Sequence, residues 1–167
     1  IADIASNFTT NRMLIDYEER FYNKLADRKK VLIADNYKEA REIAAWKRKV
    51  SAAWDNVKLV DVKRACIDTE AIMVGETYHF EVTLDIANLQ KSDIGVELVV
   101  AKQIEFGQGA NVQTSVELLP VKVTDSLVTY ALDYVPEHTG MFDVALRVFP
   151  KNAKLPHRMD FALVKWA

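Results

Sequence analysis

One cysteine, five glycines, four prolines and three histidines are all that 167 residues contain, and each scarcity removes a class of protein. Cys66 alone can form no internal disulfide, so nothing calls for an oxidising compartment and a cytoplasmic location is expected. The glycines supply no phosphate-cradling strand-to-helix turn; the close pair Gly107 and Gly109 falls between two expected strands and reads as a hairpin loop. His79, His138 and His157 are far apart and lack a second ligand at any zinc-binding spacing, so no metal centre is expected. The net charge of −2 offers no general attraction to nucleic acid or to an anionic membrane. No stretch approaches the about 18 apolar residues of a spanning helix, and the start lacks a signal-peptide pattern. Repeats of solenoid length and low-complexity tracts are also missing. The chain opens at Ile1 rather than at methionine, which leads us to expect a piece of a longer protein whose chemistry lies elsewhere.

What is present is ordinary globular material: half the residues are apolar and 28% are charged. From Thr9 onward Met13, Tyr17, Phe21, Leu25 and Leu32 recur near helical spacing, which predicts a helix with one apolar face. Asp35-Asn36 interrupts the pattern, and Asn36 with Glu39 three residues later resembles a capping box opening a second helix that runs to about Trp54. Its expected buried positions are Ala40, Ile43, Val50 and Trp54, with Trp46 at the edge. So short a link predicts an antiparallel helical hairpin over residues 1–56.

After Asn56 the period changes to two. Tyr78 to Ile86, Val128 to Tyr134 and Phe142 to Val148 alternate apolar with polar residues, the pattern of strands with one buried face. Val57 to Val62, Ile94 to Ile104, Ser115 to Val123 and Met159 to Trp166 complete about seven strands, separated by turn signals such as Gly75, Asp125-Ser126 and Pro136 to Gly140. The expected fold is mainly β with an α-helical N-terminal part: the hairpin, then an immunoglobulin-like β-sandwich over residues 57–167. The two parts carry charges of +2 and −4, too close to neutral to assign partners.

No catalytic set emerges. Asp16, Glu18 and Glu19 read as a solvated helix face, and no carboxylate is marked as buried or paired, which raising a carboxyl pKa would need. Cys66 sits in a strand-like stretch with no nearby base and reads as structural. Among the aromatics, Trp54 falls on the helical stripe, and Tyr78, Phe80, Tyr130 and Tyr134 fall on the inward strand phase. That leaves Trp46 and Trp166 as candidate carbohydrate or interface contacts.

The final stretch, Pro136-Glu137-His138-Thr139-Gly140-Met141-Phe142 through Arg147-Val148-Phe149-Pro150 to Leu163-Val164-Lys165-Trp166-Ala167, resembles the C-terminus of bacterial α-glucan phosphorylases. At the front, Thr10-Asn11-Arg12-Met13, Asp16-Tyr17, Arg20-Phe21-Tyr22, Ala44-Ala45-Trp46-Lys47 and Trp54 are similar to the closing helices of that family's catalytic body. The chain departs from the pattern at Lys151-Asn152, where the family usually has His-Pro, and at Ala162 and Lys165, where it has Gly and Arg. The resemblance implies a parent enzyme that releases glucose 1-phosphate from α-1,4-glucan using pyridoxal phosphate. It implies no cofactor and no catalytic residue within this fragment, since the family's lysine and phosphate-binding groups fall upstream of Ile1. Expected partners are the catalytic lobe of its own parent chain, α-glucan and a second copy of itself.

Two other readings stay open: a free-standing sandwich that binds carbohydrate or protein, predicting an exposed aromatic patch, and a small enzyme with a site assembled by folding. A module cut from a phosphorylase predicts instead an apolar patch left on the helices.

Overall fold

A computed structural model describes residues 9–64, 73–103, 110–140 and 142–167. Cys66 and the Gly107/Gly109 pair lie outside the described residues. The chain divides into two compact units, Ile1–Trp46 and Lys47–Ala167.

In the first unit, helix α1 (Thr10–Tyr17) begins at Thr9, whose extended backbone and hydroxyl cap it; Thr9 Oγ1 accepts from the Arg12 amide at 3.2 Å. One turn of π geometry, Glu18–Tyr22, follows. The Tyr17 ring lies 6.1 Å from Phe21 and 6.4 Å from Tyr22, so it meets both aromatic residues of this turn in tilted contacts. The long helix α2 (Asn23–Ala53) is broken where the sequence breaks: Ala34 is extended, and Asp35, Asn36 and Tyr37 take left-handed conformations with φ of 49°, 54° and 61°. Asp and Asn tolerate that region better than most residues. Along α1, the π turn and the start of α2 the apolar residues are open: Met13, Tyr17, Phe21 and Leu25 are all exposed, Leu25 by 65%, whereas Ile43 further along α2 is buried.

The second unit opens with the last turns of α2. Val50, Ala53 and Trp54 are buried there, as is Val57, which follows a 3-10 turn, Trp54–Asn56. Seven strands follow: β1 (Lys58–Arg64), β2 (Tyr78–Asp85), β3 (Ile94–Gln103), β4 (Ala110–Thr124), β5 (Leu127–Tyr134), β6 (Phe142–Pro150) and β7 (Lys165–Trp166). All neighbours are antiparallel, in the order β1-β2-β5-β4-β3-β6-β7. β4 serves both halves. Its first part pairs with β3 up to Leu118, and its second part, from Leu119, pairs with β5. The sheet thereby curls into a sandwich-like body, with strands 1, 2, 5 and 4 in one layer and 3, 6 and 7 in the other, the immunoglobulin-type grouping.

Alternation places the core. Phe80, Val82 and Leu84 on β2 and Val128 and Tyr130 on β5 meet Val96 and Leu98 on β3 and Leu146 and Val148 on β6, all buried. Each contributes on the order of 1.5–3 kcal/mol through removal of apolar surface from water. The opposite face of β2 and β5 is wet and tied by cross-strand pairs: Thr83 to Thr129 at 3.0 Å, His79 to Asp133 at 2.7 Å, and, on β1, Lys63 to Glu81 at 2.8 Å.

The last strand is much shorter than the sequence pattern indicates. Met159–Trp166 was expected to be one strand; instead Arg158–Asp160 is a 3-10 turn, and only Lys165–Trp166 pairs with β6. The His157 ring accepts from the Met159 amide at 3.0 Å and Lys47 Nζ donates to the Asp160 carbonyl at 2.7 Å, so this segment satisfies its backbone through local and side-chain partners rather than a ladder.

Candidate functional site

β3 is buried along both faces from Ile94 to Ala101, which tightly constrains the one charged residue within that stretch. Glu97 stands 3% exposed. On the face away from the core it lies in register with Arg147 of β6, which lies in register with Trp166 of β7. The Glu97 carboxylate accepts from Arg147 Nε through one oxygen and from Arg158 Nη1 through the other. A buried carboxylate is tolerable only when paired and hydrogen-bonded in this way. Glu117, the β4 neighbour of Glu97 in the same row, takes Lys151 as its own partner.

This corrects the expectation that no carboxylate is buried or paired. Asp93 is a second case: buried, it caps the 3-10 turn Lys91–Asp93 by accepting from the Gln90 amide at 3.0 Å, and it accepts from Lys49 Nζ at 3.0 Å. These clamps hold the helix end and the C-terminal segment onto the sheet. Lys165 adds a third tie, donating to the Val57 carbonyl at 2.6 Å with its ammonium 5.8 Å from the Trp54 ring centre.

The two tryptophans singled out by sequence lie apart in kind. Trp46 is half-buried on α2, the last residue of the first unit. Trp166 is 58% exposed on the edge strand β7, and the Arg147 guanidinium lies 5.5 Å from its ring centre. Trp54, by contrast, is a core residue. His79 is exposed, and His138 and His157 are on loops, all as expected.

Sequence patterning gave no sign of a cleft of about 1180 Å³ at one end of the second unit. It lies where β5 runs out through Asp133–Pro136 and β6 begins at Phe142, with Gln113 and Thr114 of β4 along one wall. Its described lining holds the carboxylates of Asp133, Glu137 and Asp143 and no lysine or arginine. The hydroxyl of Tyr134 is held above its ordinary pKa, by burial first and by the Glu137 charge second, so it stays a hydrogen-bond donor at neutral pH.

That lining does not fit pyridoxal phosphate, which needs a lysine for its aldehyde and cationic or amide donors for its phosphate; three carboxylates would repel the phosphate. Elsewhere, Lys47, Lys49, Lys63 and Lys151 are occupied by Asp160, Asp93, Glu81 and Glu117. Among the described residues no group of three ligand-type side chains could hold a metal ion, and no helix is long and apolar enough to cross a membrane.

Comparison with known proteins gives a consistent result. The family described as glycogen phosphorylase C-terminal domain matches residues 54–167. The chain is 30% identical to a maltodextrin phosphorylase of Thermococcus litoralis, over 99% of this chain and 19% of that protein. It is 23% identical to glycogen phosphorylases of Mycobacterium tuberculosis and Mycobacterium bovis, over 94% of this chain and 18% of theirs. The chain thus spans less than a fifth of the length of these relatives.

Proposed function

As this chain belongs to the glycogen phosphorylase C-terminal domain family, we propose that it is the non-catalytic closing module of an α-glucan phosphorylase-like enzyme, with a structural, interface or glucan-holding role. In this reading the parent releases glucose 1-phosphate from α-1,4-glucan with pyridoxal phosphate bound outside this segment, and works in the cytoplasm. The observation that carries it is the open apolar face of the helical unit. Met13, Tyr17, Phe21, Tyr22 and Leu25 are exposed side by side on α1, the π turn and the start of α2. A contiguous surface of this kind marks a site made to be covered, and the catalytic lobe of the parent chain is its natural cover. We assign Trp46 and Trp166 to the same role, as contacts with the rest of the parent or with a second copy.

The second unit supplies the rigid half. Its Glu97 and Lys165 clamps fix the C-terminal segment, and its Asp93 clamp fixes the helix end, so that any surface presented by β7 keeps its geometry. The alternative, a free-standing binding sandwich, is favoured by one observation, the exposure of Trp166. The native size of the protein separates the two readings. An antibody raised against this chain should detect a polypeptide roughly five times its mass, as the share of its relatives' length implies. A band near 19.0 kDa would favour the free-standing module.

A further inference from the structure

We propose that the break in α2 at residues 34–37 is a two-state joint, whose bent form exchanges with one in which Asp35, Asn36 and Tyr37 join a continuous right-handed helix. Backbone geometry and side-chain exposure carry this, independently of the phosphorylase reading. Asp35, Asn36 and Tyr37 have φ of 49°, 54° and 61° in succession. L residues enter that region singly rather than in runs, because Cβ then crowds the following carbonyl. The short polar side chains of Asp and Asn offset part of the crowding by bonding locally; the Tyr37 ring has no such means.

Strain of this kind persists where the surroundings over-determine it. Ala87 and Asp125, the other described non-glycine residues of positive φ, are locked in that way. The Ala87 amide donates to Asp85 Oδ1 at 2.9 Å, and Asp125 sits in the tip of the β4–β5 hairpin, closed by Thr124 opposite Leu127. The run in α2 shows no comparable side-chain lock among the described residues: Asp35, Asn36 and Tyr37 are all exposed, Tyr37 by 54%.

Nothing in the sequence forbids the straight form. Asn23–Ala53 contains no proline or glycine, so no residue compels a break, and Ala34, Lys38, Glu39 and Ala40 are good helix formers. In a continuous helix Ile33 and Tyr37, both exposed in the bent form, would meet at i and i+4, and Asp35 would face Lys38 at i and i+3. Against these gains stands the low helix propensity of Asp35 and Asn36. The two forms are therefore close in energy, and Tyr37 is the residue that balances them. The joint sets the direction in which α1, the π turn and the first part of α2 leave residues 38–46. A contact made with one form only, above all on the open apolar face from Tyr17 to Leu25, shifts the balance toward that form.

The test is NMR on the whole isotopically labelled 167-residue chain, combining relaxation dispersion, which reads exchange on the microsecond-to-millisecond scale, with couplings that report the sign of φ. The natural chain should show exchange confined to residues 34–38. Tyr37→Gly relieves the bent form and weakens the straight helix, so it should move the ratio toward the bent form about 5–30-fold, silencing the exchange with φ positive. Asp35→Ala with Asn36→Ala should do the reverse, with φ negative at residues 35–37 and the amides of residues 38–41 gaining protection from hydrogen exchange. All three positions are exposed, so the remaining spectrum should stay in place. Left-handed residues without exchange in both the natural chain and the double-alanine variant would overturn the proposal. So would right-handed residues without exchange in both the natural chain and Tyr37→Gly, or an exchange that Tyr37→Gly leaves unchanged.

Discussion

Replacing both Arg147 and Arg158 by methionine tests the view that Glu97 is held by its two guanidinium partners rather than by the strand. Arg158 is 38% exposed and Arg147 18% exposed at their side chains, so their contributions differ. Loss of Arg158 alone leaves Arg147 in place and, at a position open to solvent, should cost about 1 kcal/mol. Arg147→Met also removes the contact with Trp166 and should cost about 2 kcal/mol. Without either arginine the carboxylate is buried and uncompensated, and the loss should reach about 3–5 kcal/mol.

The sharper signature is a change of sign. Glu97→Gln in the natural chain gives up two charge-assisted hydrogen bonds and should destabilise by about 2 kcal/mol. In the double-methionine chain the same change removes the orphaned charge and should stabilise. Urea unfolding followed by tryptophan fluorescence reads both, because about 1–3 kcal/mol per molar of denaturant turns these differences into midpoint shifts of the order of 1 M. If Glu97→Gln destabilises equally in both backgrounds, the clamp is not what makes Glu97 tolerable, and the argument fails.

Three further predictions concern other parts of the fold. Gly95 faces the Phe149 ring across the β3–β6 pair, and a Cβ there would meet Phe149 Cζ at 2.4 Å; Gly95→Ala should cost about 1–3 kcal/mol by overpacking, and recovery in Gly95→Ala/Phe149→Leu would show that the ring is the obstacle. Tyr130 has its pKa pushed up to about 12 by burial and then by Glu117. Its proton is retained in the folded state and lost in the unfolded state above about 10, so stability should be intact below pH 10 and fall between about 10 and 12; ionisation of Tyr130 itself before unfolding, seen as the ultraviolet difference between the chain and its Tyr130→Phe variant, would contradict this. The open apolar face should make the isolated chain self-associate with rising concentration in sedimentation, and Tyr17→Ser with Phe21→Ser and Leu25→Ser should abolish this without moving the unfolding midpoint of the sandwich, whereas a triple variant that still associates would place the sticky surface elsewhere.

Much of this architecture is legible because alternation is a strong signal when one strand face is wet. β2, β5 and β6 announce themselves through pairs such as Phe80 beside Glu81 and Leu146 beside Arg147. The helix break at Asp35-Asn36 is legible for a comparable local reason, a backbone conformation that few residues tolerate. Met159–Trp166 deceives because its apolar residues alternate as in a strand while its backbone amides are taken up by His157 and by its own turn. Glu97 is hidden for a different reason: a register between β3 and β6, and an arginine sixty-one positions away in the chain, cannot be seen in a local pattern. One clue was available. The run Gly95-Val96-Glu97-Leu98-Val99-Val100-Ala101 is apolar in both phases, the mark of a strand covered on both faces, and a glutamate inside such a run must find a cation. The cleft has no comparable signal, since its walls come from four strands and the segments beside them, separated in the chain.

Glucose 1-phosphate release tests the central claim most directly. The native polypeptide, captured from its source with an antibody to this chain, is compared with the isolated 167-residue chain on maltoheptaose and inorganic phosphate. The account predicts release by the captured polypeptide and none by the isolated chain. Phosphorolysis by the isolated chain, or a captured polypeptide of full relative length that releases no glucose 1-phosphate, would contradict it.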